Sequence, residues 1–156
     1  MIVVCDSGPI IHLCEIDALK VFSIFRGIYI PQEVLNEIST KKLTSDSISK
    51  IKNLKMIPLR AEYKDRTKIF CDEYYLGLGE SEAIALAMQE QINMFLTDDL
   101  DARTTAKKYN LEVHGTIGIL LRAYQEKVFN REEVIQKVSE LREKSSLFIT
   151  KDLIDY

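Results

Sequence analysis

Ile2-Val3-Val4-Cys5-Asp6-Ser7-Gly8-Pro9 is the stretch on which the fold turns. An uninterrupted apolar run of this length, closed by Asp-Ser-Gly-Pro, reads as a strand buried on both faces that runs into a turn and then a helix. Pro9 suits the first helical turn, where its missing N–H would have had no partner. A second run of the same kind, Met94-Phe95-Leu96-Thr97, ends in Asp98-Asp99. If both runs are parallel strands, their acids meet at one sheet edge. Ligands bind outside the carboxyl ends of the strands in open α/β sheets, so acids there are placed for chemistry.

Between and after these runs, strands alternate with helices. Ile28-Tyr29-Ile30 is a strand stopped by Pro31, and the helix that follows has Val34, Leu35 and Ile38 on one face and Glu33 and Glu37 on another. Residues 39–49 are polar and turn-rich, a loop leading to a helix or short connection. A short strand is predicted over Leu54 to Leu59, an irregular helix over 61–75, a break at Gly77-Leu78-Gly79, and a strong helix over Glu80 to Gln91. The spacing of Ala83, Ile84, Ala87 and Met88 gives that helix a narrow small-residue face. The chain continues with a strand at Asn93 to Thr97, a helix at Asp101 to Tyr109, a strand at Leu111 to His114, and helices over 117–127 and 131–143. Asp17 to Phe22 suits a further short helix, and the tail after Ser145 a short docked one. This order predicts an α/β fold with a mostly parallel sheet covered on both sides.

The bulk properties set limits. At 156 residues the chain suits one domain, 1–156, with one site. With 46% hydrophobic and 29% charged residues it reads as a globular protein, and no stretch approaches the roughly eighteen apolar residues of a membrane span, which points to the cytoplasm. Three cysteines without CxxC spacing support neither a disulfide framework nor a zinc ribbon. His12 and His114 read as packed or exposed structural residues. A net charge of −3 excludes a broadly basic nucleic-acid coat, although Lys41-Lys42, Lys64, Arg66, Lys68 and Lys107-Lys108 remain able to meet phosphates.

Two further acidic positions join Asp6 and Asp98-Asp99: Glu37, and the pair Glu80/Glu82 beside Gly77-Leu78-Gly79. Crowded carboxylates repel one another unless a cation offsets the repulsion, and hard cations such as Mg²⁺ and Mn²⁺ take oxygen ligands. Each position also has a structural reading. Asp6 suits the turn with Ser7, Glu37 a solvated helix face, and Glu80, Glu82, Asp98 and Asp99 the N-terminal turns of helices. Spacing resolves neither pair. Arg103, one turn beyond Asp99, fits either as a brace for an acid or as a phosphate ligand.

In this order Val4-Cys5-Asp6-Ser7-Gly8-Pro9-Ile10-Ile11, Ile30-Pro31-Gln32-Glu33-Val34-Leu35-Asn36-Glu37, Gly79-Glu80-Ser81-Glu82-Ala83-Ile84-Ala85-Leu86-Ala87 and Leu96-Thr97-Asp98-Asp99-Leu100-Asp101-Ala102-Arg103 resemble a PIN domain. They are most similar to the small prokaryotic branch typified by VapC-like toxins, and the similarity runs from residue 2 to about 127. The resemblance implies a three-layer α/β/α sandwich on about five strands and a Mg²⁺- or Mn²⁺-dependent hydrolase, a nuclease acting on single-stranded RNA. It also implies a toxin with an antitoxin partner, and a homodimer. The apolar faces over Ile10 to Phe25 and Ile48 to Ile57 are the surfaces available for pairing. Carried over by motif, Asp6 is the first-strand acid, Glu37 the acid of the Pro-x-x-Val-x-x-Glu helix, Glu82 or Glu80 the acid of the Ala-rich helix, and Asp99, with Asp98 beside it, the acid after the fourth strand. Ser7 is the hydroxyl accompanying the first. The family often has a single Asp where this chain has Glu80 and Glu82.

Two other classes stand beside this one. A phosphate-handling enzyme or receiver-type phosphoacceptor would use Asp6 or Asp98-Asp99 on a similar sheet, but the expected Asp-x-Asp-x-Thr is absent, Asp6 being followed by Ser7-Gly8. A non-catalytic interaction module would keep the fold without needing all four acidic positions.

Overall fold

The computed structural model describes residues 1–40, 43 and 45–147. Five strands form one sheet in the order β3-β2-β1-β4-β5, every neighbouring pair parallel. They are β1 (Ile2–Cys5), β2 (Gly27–Ile30), β3 (Leu54–Met56), β4 (Met94–Leu96) and β5 (Glu112–His114). Val3, Val4 and Cys5 have no exposed surface, because β1 is central and helices cover both faces. This is why its apolar run does not alternate. The chain winds outward from β1 to β3 on one side and from β4 to β5 on the other, so the topology reverses between β1 and β4. Register pairs Cys5 with Leu96, and Asp6 N donates to Leu96 O at 2.9 Å. Asp6 and Asp98-Asp99 therefore emerge together at the switch point, where open α/β sheets take their ligands.

The helices are α1 (Ser7–Glu15), α2 (Gln32–Thr40), α3 (Ser45–Ser49), α4 (Ala61–Tyr74), α5 (Leu78–Gln89), α6 (Leu100–Lys108), α7 (Thr116–Gln125) and α8 (Arg131–Lys144). In one layer α5 packs on β1 and β4, flanked by α2 and α6 and backed by α4; α1, α7 and α8 pack together in the other.

Several expectations shift. Asp17 takes a left-handed conformation (φ 52°) that stops α1, and the expected second helix is a 3-10 turn, Leu19–Ile24, burying Leu19, Val21 and Phe22. β3 ends at Met56, since Ile57 N makes the last rung to Ile30 O and Pro58 has no N–H to continue. Gly77-Leu78-Gly79 is not a break before the helix but its start, with Gly77 as N-cap and Glu80 accepting from Gly77 N at 3.1 Å. Nor does α5 bury only one narrow face. Ser81, Ala83 through Ala87 and Gln89 are all buried, because the helix lies between the sheet and α4.

Most of the apolar residues of 10–25 that the sequence leaves for a second copy are covered within the chain itself: Ile10, Leu13, Val21, Phe22 and Phe25 are buried where α1, the 3-10 turn and α7 pack together. In the second segment Ile51 is buried, Ile48, Leu54 and Ile57 are partly buried, and Met56 is exposed. The helix expected after Ser145 falls, beyond Leu147, outside the described residues, as does the Lys41-Lys42 pair.

Candidate active site

Asp6 caps α1, its Oδ1 accepting from Ser7 N at 2.8 Å, while Oδ2 accepts from Thr97 Oγ1 at 3.0 Å. It is 4% exposed. Burial raises its carboxyl from 3.8 to about 7, and the charges of Glu80 and Glu37 push the same way against the two hydrogen bonds that lower it. Thr97, fully buried at the end of β4, also accepts from Asp99 N at 3.2 Å, so one hydroxyl ties the two strand ends together.

Glu37 reaches the same edge from α2, its Oε2 accepting from Ser7 Oγ at 2.5 Å. Its other oxygen lies against Gly79, where a Cβ would overlap it. This close approach explains a glycine in the buried first turn of α5. Glu80, from that same turn, is raised by burial and then by Asp99 and Glu37. Asp99 caps α6, Oδ1 accepting from Ala102 N at 2.8 Å. Asp6, Glu80 and Asp99 line a cleft of about 860 Å³ together with Asp98, Arg103 and His12. Among the described residues none of Asp6, Glu37, Glu80 and Asp99 has an ion-pair partner.

The other member of each acidic pair is differently placed. Asp98 takes hydrogen bonds from His12 Nδ1 at 2.7 Å, Thr116 N at 2.7 Å and Thr116 Oγ1 at 2.5 Å. Burial would raise it, but these bonds outweigh burial and hold its carboxyl below the usual range. Glu82 points at α2, its Oε2 accepting from Glu33 N at 3.0 Å. Burial raises it, as do the Glu33 and Glu37 charges. Arg103 lines the cleft, but among the described residues it braces no acid and its buried Nε has no partner.

A family model described as PIN domain matches residues 2–156. The chain belongs to the PIN-domain family. No curated protein matches it. PIN domains are in general nucleases that use divalent metal ions, and this PIN domain has the three-layer sheet of that fold. No helix among the described residues is long and apolar enough to cross a membrane.

The donor set suits a hard cation, being carboxylates and hydroxyls without sulfur. It is not a closed cage: among the described residues no three His, Cys, Asp or Glu side chains are gathered tightly enough to chelate one ion. That is compatible with Mg²⁺, which usually keeps several waters and one or two carboxylates. The uncompensated charge around Asp6 is the stronger indication, since a cation would relieve it. The sequence alone does not single out Thr97, Thr116 or the pairing of His12 with Asp98. A threonine directly before the acid pair was the only local signal, because the partners of Asp98 stand 86 residues before it and 18 after it.

Proposed function

We propose that this PIN domain is a divalent-metal-dependent endoribonuclease that hydrolyses phosphodiester bonds in single-stranded RNA, with Mg²⁺ or Mn²⁺ as cofactor. The observation behind this reading is the convergence of Asp6, Glu37, Glu80 and Asp99 from four elements at the switch point of the sheet, with no cationic side chain among the described residues paired to any of them. These four would hold the cation directly or through water. Once bound, it supplies charge stabilisation at a phosphoryl oxygen and a water of lowered pKa. The protein contributes orientation. Thr97 fixes Asp6, Ser7 fixes Glu37, and the helix starts fix Glu80 and Asp99. Arg103 in the cleft wall, which has no ion-pair partner among the described residues, is the side chain suited to a substrate phosphate.

A phosphoacceptor role fits less well, since Asp6 is 4% exposed and each of its oxygens already accepts a hydrogen bond. The toxin role and an antitoxin partner rest on the similarity to small prokaryotic relatives, and a neighbouring reading frame for a small partner protein would support them. A homodimer rests on that similarity and on the segment Ile48 to Ile57, where Ile48, Leu54 and Ile57 are only partly buried and Met56 is exposed, since most of the apolar residues of 10–25 are covered within one chain.

The test is cleavage of labelled RNA and DNA panels by wild type, Asp6→Asn and Asp99→Asn in Mn²⁺, Mg²⁺ and EDTA. Metal-dependent cutting of single-stranded RNA, abolished in both variants while RNA binding persists, is expected. Cutting at the wild-type rate by either variant, with a mock purification excluding contaminants, would overturn the assignment.

A further inference from the structure

Glu82 lies two residues from Glu80 on α5, yet its carboxylate addresses a different element. Its Oε2 accepts from Glu33 N, in the first turn of α2, at 3.0 Å. Helix starts leave N–H groups that need acceptors, and Pro31, just before α2, has no side-chain acceptor to offer. A side chain from another helix fills the role. Glu37 stands four residues after Glu33, on the same face of α2. Gly79, under the Glu37 carboxylate, stands three residues before Glu82 on α5. Two contacts therefore fix α2 against α5 in register: the Glu82 carboxylate on the Glu33 amide, and the Glu37 carboxylate on Gly79. Ser7 meets Glu37 from the third side.

We infer that Glu82 is a positioning residue, a tether from α5 to the start of α2 that holds the Glu37 carboxylate against Ser7 and Gly79 at the edge of the acid cleft, and not a metal ligand. Its Mn²⁺ and activity readouts rest on the metal-dependent ribonuclease reading, and the metal-free measurements do not. Glutamine keeps an acceptor at this position and alanine does not, whereas a metal ligand would be lost in both.

Glu82→Gln and Glu82→Ala are compared with wild type and Asp6→Asn in three measurements. In metal-free protein, hydrogen exchange at the Glu33 amide should accelerate in Glu82→Ala and stay close to wild type in Glu82→Gln. The metal-free unfolding midpoint should fall by about 2–4 °C in the alanine variant only. The rise in midpoint on adding Mn²⁺ should survive in Glu82→Gln and vanish in Asp6→Asn. Cleavage should fall about tenfold or more in Glu82→Ala, in kcat with KM little changed, and be largely rescued by glutamine. Loss of the Mn²⁺ shift in Glu82→Gln as complete as in Asp6→Asn would make Glu82 a ligand and overturn the inference. Unchanged amide exchange in Glu82→Ala would equally overturn it. If wild type cuts no RNA, the ribonuclease reading fails, while the exchange measurement still decides the role of Glu82.

Discussion

An Asp6 carboxyl raised by burial to about 7 is easier to protonate in the folded chain than in the unfolded one, where 3.8 applies. Its contribution to stability is complete below about pH 4 and is lost as pH rises through about 7, an effect on the order of 4 kcal/mol for the metal-free protein. Asp6→Asn removes that charge, so its metal-free unfolding midpoint should vary less between pH 5 and 8 and exceed that of wild type at pH 8. Thermal melts in EDTA across that range check this, and parallel profiles for the two proteins would count against a costly Asp6 charge. At Gly79 stability and activity should separate. Gly79→Ala gains helix propensity of up to about 1 kcal/mol, but its Cβ displaces the Glu37 carboxylate, the flexible end of a side chain. The expected outcome is an unfolding midpoint at or above wild type with cleavage reduced at least about tenfold. A variant that is both stable and fully active would show that Glu37 need not lie there. Such roles were only half legible in the sequence. The chain order points to acids at strand ends, but which member of each pair is held by protein partners depends on His12, Thr116 and Glu33, brought in by the fold.

At the level of elements, the ends of β1 and β4 are coupled through one side chain. Thr97 Oγ1 donates to Asp6 and accepts from Asp99 N, so the acid of each strand end depends on the other. Thr97→Val keeps the shape and removes both bonds, leaving a partly buried amide and a buried carboxylate each short of a partner. It should destabilise the fold by about 1–3 kcal/mol and reduce cleavage more than it reduces RNA binding. Urea unfolding together with binding and cleavage assays would measure this, and wild-type cleavage would show that the two acids hold their positions unaided. The elements were legible where hydrophobic pattern and turn residues agreed, as in β1 with Asp6 to Pro9, or α6 behind its Asp99 cap. They depart from the pattern where a tertiary neighbour overrides a local rule. Gly79 reads as a helix breaker until Glu37 is seen against it, and α5 reads as one-faced until α4 covers its outer side.

For the whole molecule, the reversal of strand order between β1 and β4 makes one end of the sheet the place for a ligand, and the acids gather there. Strand polarity follows from the alternation of strands and helices, which is why the sheet could be read before it was seen. The surface could not, because whether Ile10 to Phe25 lies covered depends on how α1 and α7 pack. The cleft also restricts what can enter. Asp6 is almost fully buried in it, so on the proposed ribonuclease reading a scissile phosphate would have to descend to strand ends between the starts of α5 and α6. A flexible single strand can bend a phosphate inward, whereas a stiff duplex holds its phosphates along the outside. Of the 21 Lys and Arg side chains, Arg103 lines the cleft and Lys64 stands near Glu82, so a strand in the cleft is expected to meet few of them. With about three phosphates neutralised, single-strand affinity should fall only roughly twentyfold between 50 and 200 mM monovalent salt, far less than for a densely basic binder. Binding of a labelled single-stranded RNA by a cleavage-dead Asp99→Asn protein across that salt range, beside the matching duplex, measures both expectations. Equal affinity for duplex, or a slope implying eight or more phosphate contacts, would place the RNA on a surface other than this cleft.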